Sequence, residues 1–166
     1  MAPTKTLLIV YHSMTGGTLQ MAQAAHAGAL EEADVNVRLL QAAQAGAADV
    51  LAADGFIFAT PENLAAISGQ LKDFFDRSYY AVLDQINGRP YASLVCAGSD
   101  GNNAARQIER IATGWRLRAV AEPLIVCTFA QTPEAILAPK QISDEELVHC
   151  RALGAAMAAG LALGVF

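Results

Sequence analysis

Five short apolar runs alternate along the chain with longer stretches in which apolar residues recur at helical spacing. The runs at 5–11 and 54–60 show no polar alternation, which is typical of strands covered on both faces. The run at 35–40 alternates at its start and predicts a strand nearer to an edge of the sheet. Two further runs, at 91–98 and 123–129, complete a prediction of five strands.

The stretches between these runs predict helices. In residues 17–32, one helical face is formed by Leu19, Ala22, Ala25 and Ala29. A second helix is predicted from about Ser68 to Tyr80, and a third follows the fourth strand within 103–115. The last helix has a defined start, because Ser143 and Glu146 have the spacing of a capping box.

The repeated strand–helix–strand pattern indicates an α/β fold with a parallel sheet, right-handed crossovers and helices on both faces. Two arrangements fit, a Rossmann-type half and a five-stranded sheet in the order 2-1-3-4-5. In both, ligands bind at the carboxyl ends of the strands, where the strand order reverses. Since no linker, repeat or low-complexity tract interrupts the pattern, a single domain over 1–166 is predicted.

Composition and charge exclude several classes of partner. The chain is 54% hydrophobic and 16% charged, which disfavours disorder. Its net charge of −5 argues against a nucleic-acid or anionic-membrane surface. The apolar stretch at 152–166 is shorter than the roughly 20 residues of a membrane span, so no membrane insertion is predicted and a buried or interface helix is preferred.

The cysteines point to a reducing compartment. Cys96, Cys127 and Cys150 are odd in number, far apart and without the spacing of metal ligands, so we interpret them as reduced core thiols and predict no metal site. The N-terminal apolar run is too short for a signal peptide. A cytoplasmic location is therefore expected.

The loop after the first strand carries the most informative motif. Residues 13–18 read SMTGGT, with three hydroxyl side chains, two glycines and no Lys or Arg. They match neither the GxGxxG of dinucleotide-binding folds nor the GxxxxGK[ST] of P-loops. Neutral donors in front of a helix N-terminus suit one terminal phosphate group, although a hydroxyl-rich helix cap would look the same.

Two more loops have the composition of a ligand site. After the third strand, Thr60 and Pro61 lead into small residues that allow backbone to approach a flat ligand closely. After the fourth strand, Gly98 and Gly101 precede a helix. In the order 2-1-3-4-5, strands one, three and four adjoin the point where the order reverses, so these loops would meet.

These motifs resemble those of a known family. SMTGGT resembles the S-x-T-G-x-T phosphate loop of flavodoxins at every position, and PENLAAISGQLKDFFDR (61–77) is similar to a segment of the flavodoxin-like NAD(P)H:quinone oxidoreductases and FMN reductases, the WrbA-like group. The stretches AGSDGNNAARQIERIATGW and AQTPEAILAPKQIS resemble parts of the same broad group, so the resemblance covers nearly the whole chain.

The resemblance implies a flavodoxin-like three-layer sandwich that binds FMN. The phosphate would lie on the side chains of Ser13, Thr15 and Thr18 and on the amides of 14–18, and the ring would lie between residues 60–66 and 98–101. The implied cofactor-binding residues are Ser13, Met14, Thr15, Gly16, Gly17, Thr18, Thr60, Pro61, Glu62, Asn63, Leu64, Ala65, Gly98, Ser99, Asp100 and Gly101.

The chain departs from the family pattern at two positions. Many relatives have an aromatic residue near 64–66 that packs on the flavin ring, where this chain has Leu-Ala-Ala. Loss of a stacked ring costs about 0.5–1.5 kcal/mol beyond area burial, so weaker FMN binding is expected. Gly17 also replaces an Asn that is common in flavodoxins.

The resemblance further implies an oxidoreductase that passes hydride from NADH or NADPH through FMN to a quinone or similar acceptor, as a homodimer or homotetramer. No catalytic side chain is nominated, because the flavin supplies the chemistry. A flavodoxin-type electron carrier and a non-catalytic interaction protein are the alternatives. Arg106 and Arg110 share one helix face, where they are either solvated or attract a nicotinamide dinucleotide.

Overall fold

A parallel sheet forms the centre of the molecule. The computed structural model describes residues 3–166, so the first two residues of the predicted domain lie outside the described chain. The strands of the sheet are β1 (Lys5–Tyr11), β2 (Val35–Gln41), β3 (Gly55–Asn63), β4 (Ala66–Ile67), β5 (Pro90–Ala97), β6 (Arg118–Ala119) and β7 (Leu124–Cys127).

Helices connect the strands and cover both faces of the sheet. They are α1 (Gly17–Ala29), α2 (Ala47–Ala52), α3 (Gly69–Val82), α4 (Asn102–Gly114), α5 (Pro133–Leu137) and α6 (Asp144–Leu163). The two short helices, α2 and α5, were not predicted from the sequence. The predicted start of α6 is confirmed, because the Ser143 hydroxyl accepts a hydrogen bond from the Glu146 amide at 3.3 Å.

The strand order confirms the predicted fold. The main path is β2-β1-β3-β5-β6, and all of its pairs are parallel. This path is the predicted order 2-1-3-4-5, with β5 in the fourth position. The fifth position is divided, because β6 pairs with the start of β5 and β7 with its end. Pro123, which has no amide to donate, lies between the two pieces.

β4 was not predicted. It pairs antiparallel with the last residues of β3, so that a two-residue turn, Leu64-Ala65, joins them in a hairpin. The hairpin extends beyond the carboxyl edge of the parallel sheet, where the predicted loops lie. The sequence suggested only an irregular crossing segment there.

The two faces of the sheet have different cores. On the face covered by α2, α3 and α4, aromatic rings dominate, and the ring centroids of Phe58 and Phe75 lie 5.0 Å apart. On the face covered by α1 and α6, the core is aliphatic and rich in alanine. Both cores end at the carboxyl edge of the sheet, which leaves a rigid platform for the loops above it.

Helices α1 and α6 approach each other closely through glycine. A Cβ atom on Gly154 would lie 1.8 Å from the Ala25 carbonyl oxygen, and one on Gly28 would lie 1.9 Å from that of Arg151. By length and composition alone, with a mean hydropathy of 1.3, α6 resembles a membrane span. Here it packs on α1 through buried residues that include Cys150, Gly154 and Ala158.

Candidate functional site

A cleft opens at the carboxyl edge of the sheet, above β1, β3 and β5. Its volume is about 500 Å³, within the usual range for a small-molecule site. The three loops predicted from the sequence line it together with a fourth segment that was not predicted. The lining residues are Ser13, Met14, Thr15, Gly17, Thr18, Pro61, Glu62, Asn63, Leu64, Cys96, Ala97, Gly98, Thr128, Ala130, Ile136, Leu137 and Lys140.

The loop after β1, residues 13–18, folds into a concave turn that we call the cradle. The Ser13 hydroxyl accepts a hydrogen bond from the Gly16 amide at 3.1 Å. Gly16 has φ 95°, a left-handed conformation that favours glycine, and it is the N-cap residue directly before α1. The first amides of a helix have no carbonyl partner within it, so the start of α1 offers donors to an anion.

Thr18 provides a direct test of whether this cradle fits a phosphate group. The residue is only 2% exposed, and within residues 3–166 its hydroxyl has no hydrogen-bond partner. Leaving a buried hydroxyl unpaired costs about 1–3 kcal/mol. Since Thr18 lines the cleft, a phosphate oxygen would satisfy it, and the residues present fit the group.

Gly17 leaves no room for the side chain that flavodoxins often have at this position. A Cβ atom on Gly17 would lie 2.6 Å from the Cys96 sulfur and 3.4 Å from the Lys140 Cβ. The departure from the family pattern therefore has a packing reason. Cys96, from β5, and Lys140 together occupy the adjoining volume.

The β3–β4 hairpin forms one wall of the cleft under backbone strain. Leu64 and Ala65 have φ 52° and 60°, as a type I′ turn requires, although Asn-Gly is the usual sequence there. Non-glycine residues in this region cost of order 1–3 kcal/mol each. The side chain of Leu64 is fully exposed and lines the cleft.

Side chains fix the hairpin to the start of α4. The Glu62 carboxylate accepts hydrogen bonds from the amides of Gly101 at 2.8 Å and Ala104 at 3.0 Å. The Asn103 amide group donates to the carbonyl oxygen of Ala65. The predicted loops after β3 and β5 are thus joined by direct contacts.

Some of the predicted cofactor-binding residues lie outside the cleft lining. They are Gly16, Thr60, Ala65, Ser99, Asp100 and Gly101. Thr60 is fully buried, and its hydroxyl accepts from the Ser68 amide at 3.0 Å and donates to the Pro61 carbonyl at 2.8 Å. This residue supports the hairpin from below, whereas Gly98 does line the cleft.

The fourth segment runs from β7 to α6, over residues 128–142, and we call it the strap. Gln20 holds its end against the cradle: its side-chain amide donates to the carbonyls of Gly16 at 2.9 Å and Lys140 at 2.8 Å, and its oxygen accepts from the Ile142 amide at 3.0 Å. The Lys140 amide donates to the Thr15 carbonyl at 2.8 Å. Sequence reasoning missed the contacts that fix the strap because they join residues 120 or more positions apart.

Two other groups near the cleft are uncharged at neutral pH. Burial raises the pKa of the Cys96 thiol to about 11, despite the opposing effect of Lys140. Burial lowers the pKa of His12, which follows β1. Among the described residues that line the cleft, the one thiol is therefore neutral at pH 7.

The fold and cleft define a flavodoxin-like protein with a hydroxyl-lined cradle at the switch point of its sheet. The family model for NADPH-dependent FMN reductase matches residues 20–131, and the chain belongs to this family. It is accordingly an FMN-binding flavoprotein.

The chain is also similar to individual known proteins. The chain is 29% identical over 164 residues to a flavodoxin of Aquifex aeolicus (strain VF5), covering 96% of this chain and 88% of that protein. The flavodoxin, WrbA-like protein from Agrobacterium tumefaciens superposes with a TM-score of 0.75 at 21% identity, over 96% of this chain and 98% of that one. The apo form of an NADH:FMN oxidoreductase (EMOB) superposes with a TM-score of 0.71 at 18% identity, over 95% and 90%. These two structures show the shared fold.

Proposed function

We propose that this flavoprotein is an NAD(P)H-dependent oxidoreductase that passes hydride through FMN to a quinone or a similar small acceptor. The family match carries the proposal. When bound, FMN supplies the hydride chemistry, and the protein supplies position and electrostatics. The neutral Cys96 thiol agrees with this division, because no nucleophilic side chain is required.

The chain's own residues would hold and orient the cofactor. Hydroxyls of Ser13, Thr15 and Thr18 would bind the phosphate group in the cradle. The hairpin wall at 61–64 and Gly98 would bracket the ring. Because Glu62 and Asn103 tie this wall to α4, the ring would meet a surface that is already in place.

A second cavity suggests where the electron donor docks. It measures about 620 Å³, adjoins the hairpin at Ala66 and Ile67, and is lined by Lys72, Arg106 and Arg110. Lys72 is paired with Asp76, but within the described chain neither arginine forms an ion pair. Two unpaired positive charges beside the hairpin favour a ligand with phosphate groups, such as a nicotinamide dinucleotide.

The rival function is one-electron transfer, as in a flavodoxin that docks on partner enzymes. The Aquifex aeolicus relative, a flavodoxin, favours it. The two functions differ in the source of electrons, since a carrier takes electrons from another protein and has no need of a dinucleotide site.

Anaerobic reduction of the FMN-loaded protein distinguishes them. We expect NADPH or NADH to bleach the flavin absorbance and a simple benzoquinone to restore it. An Arg106→Gln/Arg110→Gln variant should need several-fold more dinucleotide, from the loss of exposed charge contacts of up to about 1 kcal/mol each. Arg118→Gln, which removes an exposed charge in β6, is the control.

Two outcomes would contradict the proposal. Flavin that stays oxidised with both dinucleotides, yet accepts electrons one at a time in a chemical redox titration, would indicate a carrier. Bound flavin that reacts with neither dinucleotides nor partner reductases would indicate a non-catalytic interaction protein.

A further inference from the structure

The cradle lacks a cation in its own sequence, yet the fold supplies one. The ammonium group of Lys140 lies 3.2 Å from the Thr15 hydroxyl oxygen. Among the described residues that line the cleft, Lys140 is the only one with a positive charge. The charge comes from the strap, 125 residues away from Thr15 in sequence.

The ammonium group is held in a defined position. Besides the Thr15 hydroxyl, it donates to the carbonyls of Ile136 at 2.8 Å and Ala138 at 2.7 Å. An ammonium has three donors, so each has an acceptor in the protein. A side chain fixed in this way loses little further rotamer freedom when a ligand binds, unlike a free surface lysine.

The contact with Thr15 also orients the cradle. Because the Thr15 oxygen accepts from Lys140, its own hydroxyl hydrogen is free to point into the cleft. Thr18, whose buried hydroxyl has no partner among residues 3–166, lines the same cleft. Two hydroxyl donors and one adjacent positive charge therefore surround the place where an anion would bind.

The carboxylate in the cleft lining is hydrogen-bonded to α4 and not to Lys140. Glu62 is the one carboxylate among the described lining residues. Its oxygens accept from the Gly101 and Ala104 amides at the start of α4, where the helix dipole favours negative charge. Lys140 therefore has no carboxylate partner in the cleft.

We propose that Lys140 makes the cleft selective for phosphorylated flavin, by placing a fixed positive charge beside the phosphate cradle. The inference rests on FMN binding and adds to it the residue that distinguishes FMN from riboflavin. A phosphate monoester carries about −1.5 to −2 charge at neutral pH, which neutral donors alone compensate only in part.

The test compares FMN with riboflavin in flavin-fluorescence titrations of the apoprotein. For Lys140→Met, which keeps the aliphatic stem, we expect the FMN dissociation constant to rise roughly 10- to 100-fold, because a positive charge close to the phosphate is lost. The riboflavin constant should stay unchanged. Lys5→Met is the matched control, since it makes the same change in net charge at the amino end of β1, outside both cavities, and should alter neither constant.

Other results would overturn the proposal. Equal weakening of both flavins would mean that Lys140 only holds the strap, and unchanged constants would mean that its charge has no role. If wild-type protein prefers FMN as expected but no dinucleotide reduces it, this inference stands while the proposed reductase function fails.

A second measurement covers the case in which Lys140→Met does not fold. The wild-type protein has a net charge of −5, which by itself repels an anionic ligand. Salt that screens this repulsion would strengthen FMN binding, whereas screening of a local cation would weaken it. We expect FMN affinity to fall and riboflavin affinity to stay constant between about 0.05 and 0.5 M KCl. A rise in FMN affinity would overturn the proposal.

Discussion

Gly17 and Cys96 share a single volume beside the cradle. The thiol is 8% exposed and belongs to the core between the sheet, α1 and α6. It lies where a side chain at position 17 would begin. The loop after β1 therefore keeps its shape only while one of the two positions stays small.

A double-mutant cycle measures this constraint. Gly17→Ala should lower the free energy of unfolding by about 1–3 kcal/mol, as overpacking does, and weaken FMN binding. Cys96→Ala opens the space, so the double variant should recover most of both losses. Urea unfolding and flavin titration of the wild type, the two single variants and the double variant give the coupling free energy between positions 17 and 96. Additive losses would show that the two positions do not interact.

Residues next to each other in sequence could be predicted, whereas residues brought together by the fold could not. Ser13, Thr15 and Thr18 stand in one motif, and the structure places all three in the lining of the cleft. Cys96 lies within an apolar strand with nothing to mark it. Lys140 follows a stretch with no recognisable spacing, so only the strap's contacts with Gln20 and Thr15 reveal its position.

The β3–β4 hairpin is the element in which local sequence and local structure disagree most. A type I′ turn is signalled by Asn-Gly or Asp-Gly, and Leu64-Ala65 carries no such signal. The turn is held by two tertiary contacts with the start of α4, because Glu62 accepts from the Gly101 amide and Asn103 of α4 donates to the Ala65 carbonyl. The same contacts keep an apolar Leu64 side chain exposed at the rim of the cleft.

Relief of the backbone strain in the hairpin turn should raise stability and lower FMN affinity. Leu64→Asn/Ala65→Gly suits the observed dihedral angles, so the free energy of unfolding should rise by about 1–3 kcal/mol in urea denaturation. FMN affinity should fall, because an apolar contact at the rim is lost.

Arg116, also left-handed at φ 58°, provides the control for this element. It lies outside the cleft lining, so Arg116→Asn should raise stability without changing the FMN dissociation constant. If the hairpin variant were more stable and bound FMN as tightly as wild type, Leu64 would have no role in the site.

At the scale of the whole molecule, the alternation of apolar runs and helical stretches was enough to predict a parallel sheet covered by helices, whereas the strand order 2-1-3-4-5 was selected by the family resemblance. Local periodicity and capping predict the sheet, the edge position of β2 and the start of α6 at Ser143. The division of the fifth strand and the close packing of α1 on α6 do not, because they depend on how separate elements fit. The need for glycine at positions 28 and 154 is visible only when α1 and α6 are packed together.

The buried thiols give the molecule a dependence on alkaline pH. Burial raises the pKa of Cys96 and of Cys150 from 9.0 to about 11. In the unfolded chain both thiols ionise near pH 9, whereas in the folded chain they stay neutral. The stabilising contribution is therefore complete below pH 9 and is lost as the pH rises from about 9 to about 11.

Urea unfolding at several pH values tests this directly. The free energy of unfolding of the wild-type protein should decline from about pH 9 to about pH 11, and Cys150→Ala should decline less steeply. Replacing Cys150 removes one titrating group but also changes packing. The comparison is therefore of the slope of the free energy of unfolding against pH, and not of absolute stabilities. Identical slopes would contradict the assignment to this thiol.

The strap also places part of the cradle's surroundings late in the order of synthesis. The cradle leaves the ribosome early, but Lys140 and Ile142, which close it against Gln20, follow more than 120 residues later. The segment that holds them leads directly into α6, the last helix of the chain. A nascent chain therefore carries an incomplete cradle until residues 140–142 have been synthesised and have reached Gln20.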